Sequence, residues 1–252
     1  MLRTERHARI LEHVTARGGI EVHELSRLLD VSTATVRRDL QHLSGLRLLR
    51  RTHGGAAVGP MDLEMPLQHR AGRSRPEKQA IAEAAAALVP EGAVVGMNGG
   101  STVTEVARLL AARGPLTVVT NAVNIAAELV LHKHVTLIVI GGNARNASYE
   151  LVGPIAEKTL ASYHTDIAFL GVDGISAAHG CTTHDQLEAA TDRAFADNSG
   201  RTVVVADRTK IGRATLAKIC PLTGIDDLVT DGTAPDAELA GIAAAGVKVT
   251  VG

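Results

Sequence analysis

Apolar positions recur with two different periods along this chain, and the change of period divides it. Over the first sixty residues the spacing is helical. Ile10, Leu11 and Val14 mark one face of a helix expected over 4–17, with Gly18 and Gly19 as its stop. Val22, Leu25 and Leu29 recur at i, i+3 and i+7, and Val36, Leu40 and Leu43 at i, i+4 and i+7, so two further helices each present an apolar stripe. Only Asp30 and Val31 separate the second stripe from Ser32, whose hydroxyl oxygen is placed to accept from first-turn N–H groups of the third helix. Two short helices joined by so tight a turn predict a helix-turn-helix, which the first helix completes to a three-helix core. Leu46, Leu48 and Leu49 then alternate with Arg47, Arg50 and Arg51 ahead of His53, Gly54 and Gly55, the pattern of a short hairpin, or wing.

Beyond the wing the pattern lapses and then changes. Gly59, Pro60, Pro66 and Gly72 stand among mixed charges without periodicity, so a linker is expected over 58–75. Continuous apolar runs follow at 93–97, 116–120, 135–140, 167–172, 202–206, 227–230 and 247–251. They alternate with helical patterns near 78–89, 102–113, 124–132, 155–163, 188–198 and 236–245. Unbroken apolar strands separated by helices predict a Rossmann-like α/β domain whose parallel sheet is covered on both faces. The expected organisation is a winged helix-turn-helix at 1–57, a linker at 58–75 and an α/β domain at 76–252.

Composition agrees with two domains: 252 residues, 45% of them hydrophobic, bury a sizeable core. The net charge of −1 hides an uneven distribution. The first sixty residues hold ten Arg against six Asp or Glu, a balance of +4 that leaves −5 for the rest, as in a basic reader joined to an acidic sensor. Two cysteines, Cys181 and Cys220, form no CxxC pair, which excludes a disulfide framework and a four-cysteine zinc site. His179, Cys181 and His184 match no common zinc spacing and read as a polar loop, so neither a metal nor a cofactor is expected. No apolar run reaches the length of a membrane span and the opening MLRTERHARI is polar, so a cytoplasmic protein with no membrane partner is expected. Two Phe, two Tyr and no Trp offer few platforms for single-stranded bases.

The candidate chemistry lies in two places. Off the stripe of the third helix stand Ser32, Thr33, Ala34, Thr35, Arg37, Arg38 and Gln41, small, hydroxylic, cationic and amide groups suited to phosphates and base edges. With Arg50, Arg51 and His53 of the wing they make the expected set for double-stranded DNA; the alternative for Arg37 and Arg38 is a solvated charged face. In the α/β domain, ligands are expected where strands end and loops begin. Asn98, Gly99, Gly100, Ser101 and Thr102 join a strand to the helix that Thr102 is expected to open, and glycines, hydroxyls and a helix start together favour an anion. Thr120 and Asn121 end the next strand, Gly141 and Gly142 the one after, and Asp207, Arg208, Thr209 and Lys210 a later one. The bland readings are an ordinary turn for the glycine loops, a helix cap for Asn121 and a surface lysine for Lys210.

The run VSxxTVRRDLxxL, followed by two leucines, two arginines and HGGA, resembles the signature of the DeoR family of bacterial transcriptional regulators. The stretch LQHRxxxxxxEKxxIA from Leu67 is similar to the family's joining segment, with leucine in place of the usual phenylalanine. NGGST, the TN at Thr120, the GG at Gly141, DIAFLGVDGI, GCTT, Glu188, ADRTKIG and the TD at Thr230 are similar to the family's C-terminal domain, itself related to ribose-5-phosphate isomerase. The resemblance implies a repressor of carbohydrate genes that binds a phosphorylated sugar, and because a single head has too little surface for a long operator, a homo-oligomer, a dimer or higher, is expected. The effector's phosphate would lie near Gly100, Ser101, Thr102 and Lys210, and its sugar near Asn121 and Asp173, with Gly142 and Glu188 in the same set. Two departures matter. The family's glycine between helix and wing falls on Arg47, so the helix is expected to end at Gly45. Asn98 stands where the family carries Asp, which implies a different effector preference. The alternative, an isomerase-like enzyme, needs carboxylates at an acidic motif that reads Leu170-Gly171-Val172-Asp173-Gly174 here; two of three are absent, and no catalysis is expected.

Overall fold

Gly18, with φ +71, ends the first helix in the left-handed region that favours glycine, and Gly19 at once begins a strand. A computed structural model describes residues 2–46, 48–58, 66–70 and 74–252; Arg47 and most of the expected linker lie outside them. The chain divides into two compact units, residues 1–73 and 74–252. The first holds α1 (Arg3–Arg17), β1 (Gly19–Glu21), α2 (Val22–Leu29), α3 (Thr33–Gly45), β2 (Leu49–Thr52), β3 (Gly55–Val58) and α4 (Leu67–Arg70). Its core is the set the periodicity picked out: Ile10, Leu11, Val14, Val22, Leu25, Leu29, Val36, Leu40 and Leu43, all buried, joined by Leu49 and Ile20. Burying each such side chain stabilises the fold by about 1.5–3 kcal/mol before entropy is counted.

The wing is wider than a hairpin. β3 pairs antiparallel with both β2 and β1, in the order β1-β3-β2. Gly18 and Gly19 carry only the signal of a helix stop, because a three-residue strand shows too little alternation. The last part of the expected linker is likewise a helical turn, α4, packed against α1. The third helix does end at Gly45.

The second unit follows as α5 (Arg75–Ala86), β4 (Val94–Met97), α6 (Ser101–Ala111), β5 (Leu116–Thr120), α7 (Val123–Leu129), β6 (Val135–Val139), β7 (Asn143–Arg145), β8 (Glu150–Val152), α8 (Pro154–Leu160) and β9 (Ile167–Leu170). It ends with β10 (Gly174–Ser176), β11 (Gly180–Thr183), α9 (Gln186–Asp197), β12 (Thr202–Val205), β13 (Ala217–Cys220), β14 (Asp227–Thr230), α10 (Asp236–Ala244) and β15 (Lys248–Val251). Seven strands form one parallel sheet in the order β15-β14-β12-β9-β4-β5-β6. Alternate residues of one strand feed opposite layers. Val203 and Val205 join Ile81, Val106 and Ile125 of α5, α6 and α7, while Val204 joins Leu160, Phe195 and Ile242 of α8, α9 and α10. The strand order runs outward from β4 in one direction and resumes from β9 in the other, so the crevice at the ends of β4 and β9 is the switch point at which such sheets bind ligands.

Two small antiparallel pieces complete this unit: the hairpin β7–β8 and the sheet β10-β11-β13. The stretch 179–184, expected as a polar loop, is mostly buried strand β11, in which Cys181 faces Cys220 of β13 and both thiols are free. Among the described residues no helix is long and apolar enough to cross a membrane.

Candidate nucleic-acid interface and effector site

α3 is set up by its cap. Ser32 Oγ accepts from the Thr35 N–H at 3.1 Å and lies 2.9 Å from the Thr35 hydroxyl, while Asp30 makes the preceding turn in the left-handed region at φ 51. With Val36, Leu40 and Leu43 buried, Ala34, Arg37, Arg38 and Gln41 fall at i, i+3, i+4 and i+7 on the exposed face, beside exposed Ser32 and half-buried Thr33 and Thr35. The structure thus gathers all seven predicted α3 residues at its outer side and cap. Arg50, Arg51 and His53 of the wing are exposed too. Consecutive strand residues point to opposite faces, so Arg50 and Arg51 serve opposite sides of the hairpin. Gly54 makes the turn at φ +101, and a Cβ on Gly55 would stand 2.3 Å from the Ile20 carbonyl oxygen, so the second glycine is what lets β1 approach β3.

Asp39 was not foreseen. It is buried on the core side of α3, where Arg6 donates to its Oδ2 at 2.6 Å and the His7 ring lies 2.9 Å from its Oδ1. Burial pushes its carboxyl up, but the hydrogen bonds from Arg6 and His7 outweigh it and hold the group below its ordinary value. This pairing fixes α3 to α1.

At the switch point the loops meet. The Asn98 side chain donates to the Gly171 carbonyl at 3.0 Å and accepts from the Gly171 N–H at 2.8 Å, which ties the ends of β4 and β9 together. Thr120 Oγ1 donates to the Met97 carbonyl at 2.7 Å and accepts from the Ala122 N–H at 3.1 Å. Asn121 donates to the Leu151 carbonyl at 3.2 Å, and Gly142 packs against the backbone of Val152. The Asn98 carbonyl, one of its N–H groups and the Thr120 hydroxyl are therefore spent on backbone. The helix begins one residue before Thr102: Ser101 opens α6, with Gly100 as N-cap at φ +133. Gly100 and Ser101 are partly accessible, whereas Thr102 is buried and the Gly99 N–H donates to Glu150 Oε1. As at any helix start, the first N–H groups of α6 lack intrahelical acceptors.

Across the crevice, Lys210 Nζ donates to Asp173 Oδ1 at 2.9 Å. The Thr183 hydroxyl stands 3.1 Å from Asp173 Oδ2 and 2.5 Å from Glu188 Oε1, so it lies between the two carboxyls and its single proton serves one of them at a time. Arg145 Nη1 lies 2.9 Å from Glu188 Oε2, and its Nε 3.5 Å from Asp185, the residue that caps α9 through the Leu187 and Glu188 N–H groups. Glu150 and Asp192 complete the cluster and are wholly buried; burial first, then neighbouring carboxylates, Glu188 on Glu150 and Glu150 on Asp192, push both well above the ordinary range. Among the described residues no group of three His, Cys, Asp or Glu is gathered so as to hold a metal ion.

The DeoR-like helix-turn-helix domain matches residues 6–59, and the DeoR C terminal sensor domain matches residues 73–232. The chain belongs to the DeoR family. Its head is the helix-turn-helix of a DNA-binding transcriptional regulator, and its second unit is the family's sensor domain. It is 35% identical to the HTH-type transcriptional regulator GlpR of Haloferax volcanii, covering 100% of this chain and 99% of that one. It is 31% identical to the glycerol-3-phosphate regulon repressor of Escherichia coli K12, covering 93% of each. These DeoR-family relatives are named as regulators, which places the chain among regulators and not among enzymes. Among solved structures, a ribose 5-phosphate isomerase A from Methanocaldococcus jannaschii covers 53% of this chain and 52% of its own, at 20% identity and a TM-score of 0.36.

Four residues of this DeoR-family chain that the sequence reading did not single out belong to the constellation: Arg145, Glu150, Thr183 and Asp192. Asp192 carried a signal, since it follows Glu188 by four and shares its helix face. Arg145 and Glu150 carried none, because they are register partners on the three-residue strands of β7–β8.

Proposed function

We propose that this regulator represses genes of carbohydrate use and leaves its operator when a phosphorylated sugar binds at the ends of β4, β5, β9 and β12. The observation that carries the reading is the α6 start, with accessible Gly100 and Ser101, on the switch-point crevice that also holds the Lys210–Asp173 pair. A helix start and a lysine suit a phosphate, and fixed carboxylates suit sugar hydroxyls. One relative is named for a phosphorylated polyol. Within the set expected from sequence, Gly100, Ser101, Asp173, Glu188 and Lys210 face the effector, while Asn98, Gly99, Thr102, Thr120, Asn121 and Gly142 shape the loops around it.

On DNA, Ala34, Arg37, Arg38 and Gln41 enter the major groove, Ser32, Thr33 and Thr35 meet the backbone at the helix start, and Arg50, Arg51 and His53 lie along phosphates. A single head is too small for a long operator, so the chain acts as a symmetric homo-oligomer, in the cytoplasm, on repeated half-sites. The test is to select duplexes with the full-length chain from a random pool, then measure operator affinity with each of a panel of sugar phosphates. Release by one phosphorylated sugar, and not by its unphosphorylated parent, is expected. Affinity unchanged across the panel overturns the effector reading.

A further inference from the structure

Among the described residues the carboxyls of the effector site outnumber its cations. Asp173 is paired with Lys210 and Glu188 with Arg145, both at 2.9 Å, and among the described residues no cation stands within salt-bridge distance of Glu150 or Asp192. Glu150 at least accepts from the Gly99 N–H. Asp192 is 1% exposed, and neither of its carboxylate oxygens meets a hydrogen-bond donor in good geometry among the described residues. The Asn98 amide has a second N–H besides the one given to the Gly171 carbonyl, and its hydrogen bonding to Asp192 only partly offsets the upward push of burial. A second buried acceptor stands across the Ala122–Glu150 bridge: Asn121 Oδ1, without a hydrogen-bond partner among the described residues, on a residue whose backbone carbonyl accepts from the Leu151 N–H. Buried acceptors left in this state cost free energy that a donor from outside would recover.

We propose that the effector carries an ammonium group as well as a phosphate, that is, an amino sugar phosphate, and that Glu150 and Asp192 hold the ammonium. The inference rests on the effector reading above. Sugar hydroxyls would supply donors but no charge, and so would leave these two carboxyls pushed towards the protonated form. A metal ion needs a set of three ligands that the described residues do not assemble. An ammonium supplies three donors and a charge at once. Its position follows from the fold, because Glu150 is bonded to the loop that starts α6, where the phosphate is expected. An ionised Glu150 with no cation beside it would instead repel that phosphate.

The groups facing this pair are Asp173 of the β9 loop, Glu188 of α9, Cys181 of β11 and, through their carboxylate partners, Lys210 and Arg145. In the empty site burial, then the neighbouring carboxylates, pushes Glu150 and Asp192 well up, towards the protonated form. An arriving ammonium displaces those protons. Its affinity therefore rises with pH, and that of a hydroxyl analogue does not rise with it.

The experiment is isothermal titration of the full-length chain with matched pairs, glucosamine 6-phosphate against glucose 6-phosphate and galactosamine 6-phosphate against galactose 6-phosphate, at pH 5.5 and 7.5. Taking the ratio within a pair cancels the titration of the phosphate itself. In at least one pair the amine should bind about ten- to a hundred-fold more tightly at pH 7.5, the range of one charge-assisted hydrogen bond, and the advantage should shrink at pH 5.5. Asp192→Asn should remove the advantage, and a melting temperature no lower than that of the parent shows that the fold is intact; Glu150→Gln is the second variant. Equal affinities within every pair, or an advantage that survives Asp192→Asn, overturn this inference and leave the effector reading standing. No binding by any member of any pair, together with no release by any sugar phosphate in the operator assay, removes both.

Discussion

Asp39 stands on a helix stripe where the period calls for a hydrocarbon, and it is the residue on which the placement of the recognition helix turns. Buried and bonded to Arg6 and His7, it is costly to remove, because the cation left behind has lost its partner. Asp39→Ala should destabilise the first unit by about 3–5 kcal/mol in urea unfolding, and operator binding should fall with it. Arg38 lies on the solvent side of the same helix and touches no core. Arg38→Ala should leave stability unchanged and weaken operator binding by about 1–3 kcal/mol, with relaxed specificity at one base pair; equal weakening on all sequences would make Arg38 a phosphate contact. At the other site, Ser101→Asp puts a negative charge at the start of α6. Operator binding should persist and its response to the effector should vanish; a retained response would remove that loop from the effector site.

Among the elements, α4 carries the clearest pH dependence. It packs on α1 so that the His69 ring lies 5.7 Å from that of His7, which lies 5.2 Å from His42 on α3. Burial, then the nearby charges of His7 and His42, pull His69 down to about 4, and burial lowers His7 as well. Both are neutral in the folded state and would bind protons more readily when unfolded. Their contribution is therefore complete above pH 6.5 and is lost as pH falls from 6.5 towards 4. Thermal melts of the first unit should show that slope, and His69→Gln should flatten it. The same element shows where sequence stops being informative. Continuous apolar runs mark all seven strands of the parallel sheet to within a residue or two: the central strands are buried on both faces, and the edge strands β6 and β15 stay mostly apolar although partly exposed. The short antiparallel strands β1, β7, β8, β10 and β11 have three or four residues each, too few for an alternation to show, and β1 and β11 also pair with strands far along the chain. The site divides in the same way. Gly100, Ser101 and Lys210 sit on loops after legible strands, whereas Glu150 and Arg145 reach the crevice on a hairpin with no signal of its own.

For the whole molecule, control is a coupling between two units and obeys reciprocity. If the effector lowers operator affinity by some factor, the operator must lower effector affinity by the same factor, whatever the path between them. Titrating the effector with and without operator duplex measures one arm, and titrating operator with and without effector the other; unequal factors would mean that a further species takes part. The sheet order has a consequence in time as well. The central pair of the second unit joins Val95 to Ile167, while the most distant register pair of the first joins Gly19 to Ala57. Closing the longer loop costs more entropy before any contact repays it, and parallel pairing folds slowly for that reason. Refolding from denaturant should therefore regain the first unit's signal ahead of the second's, and on the ribosome a head able to meet DNA is complete before the β4–β9 crevice that governs it exists.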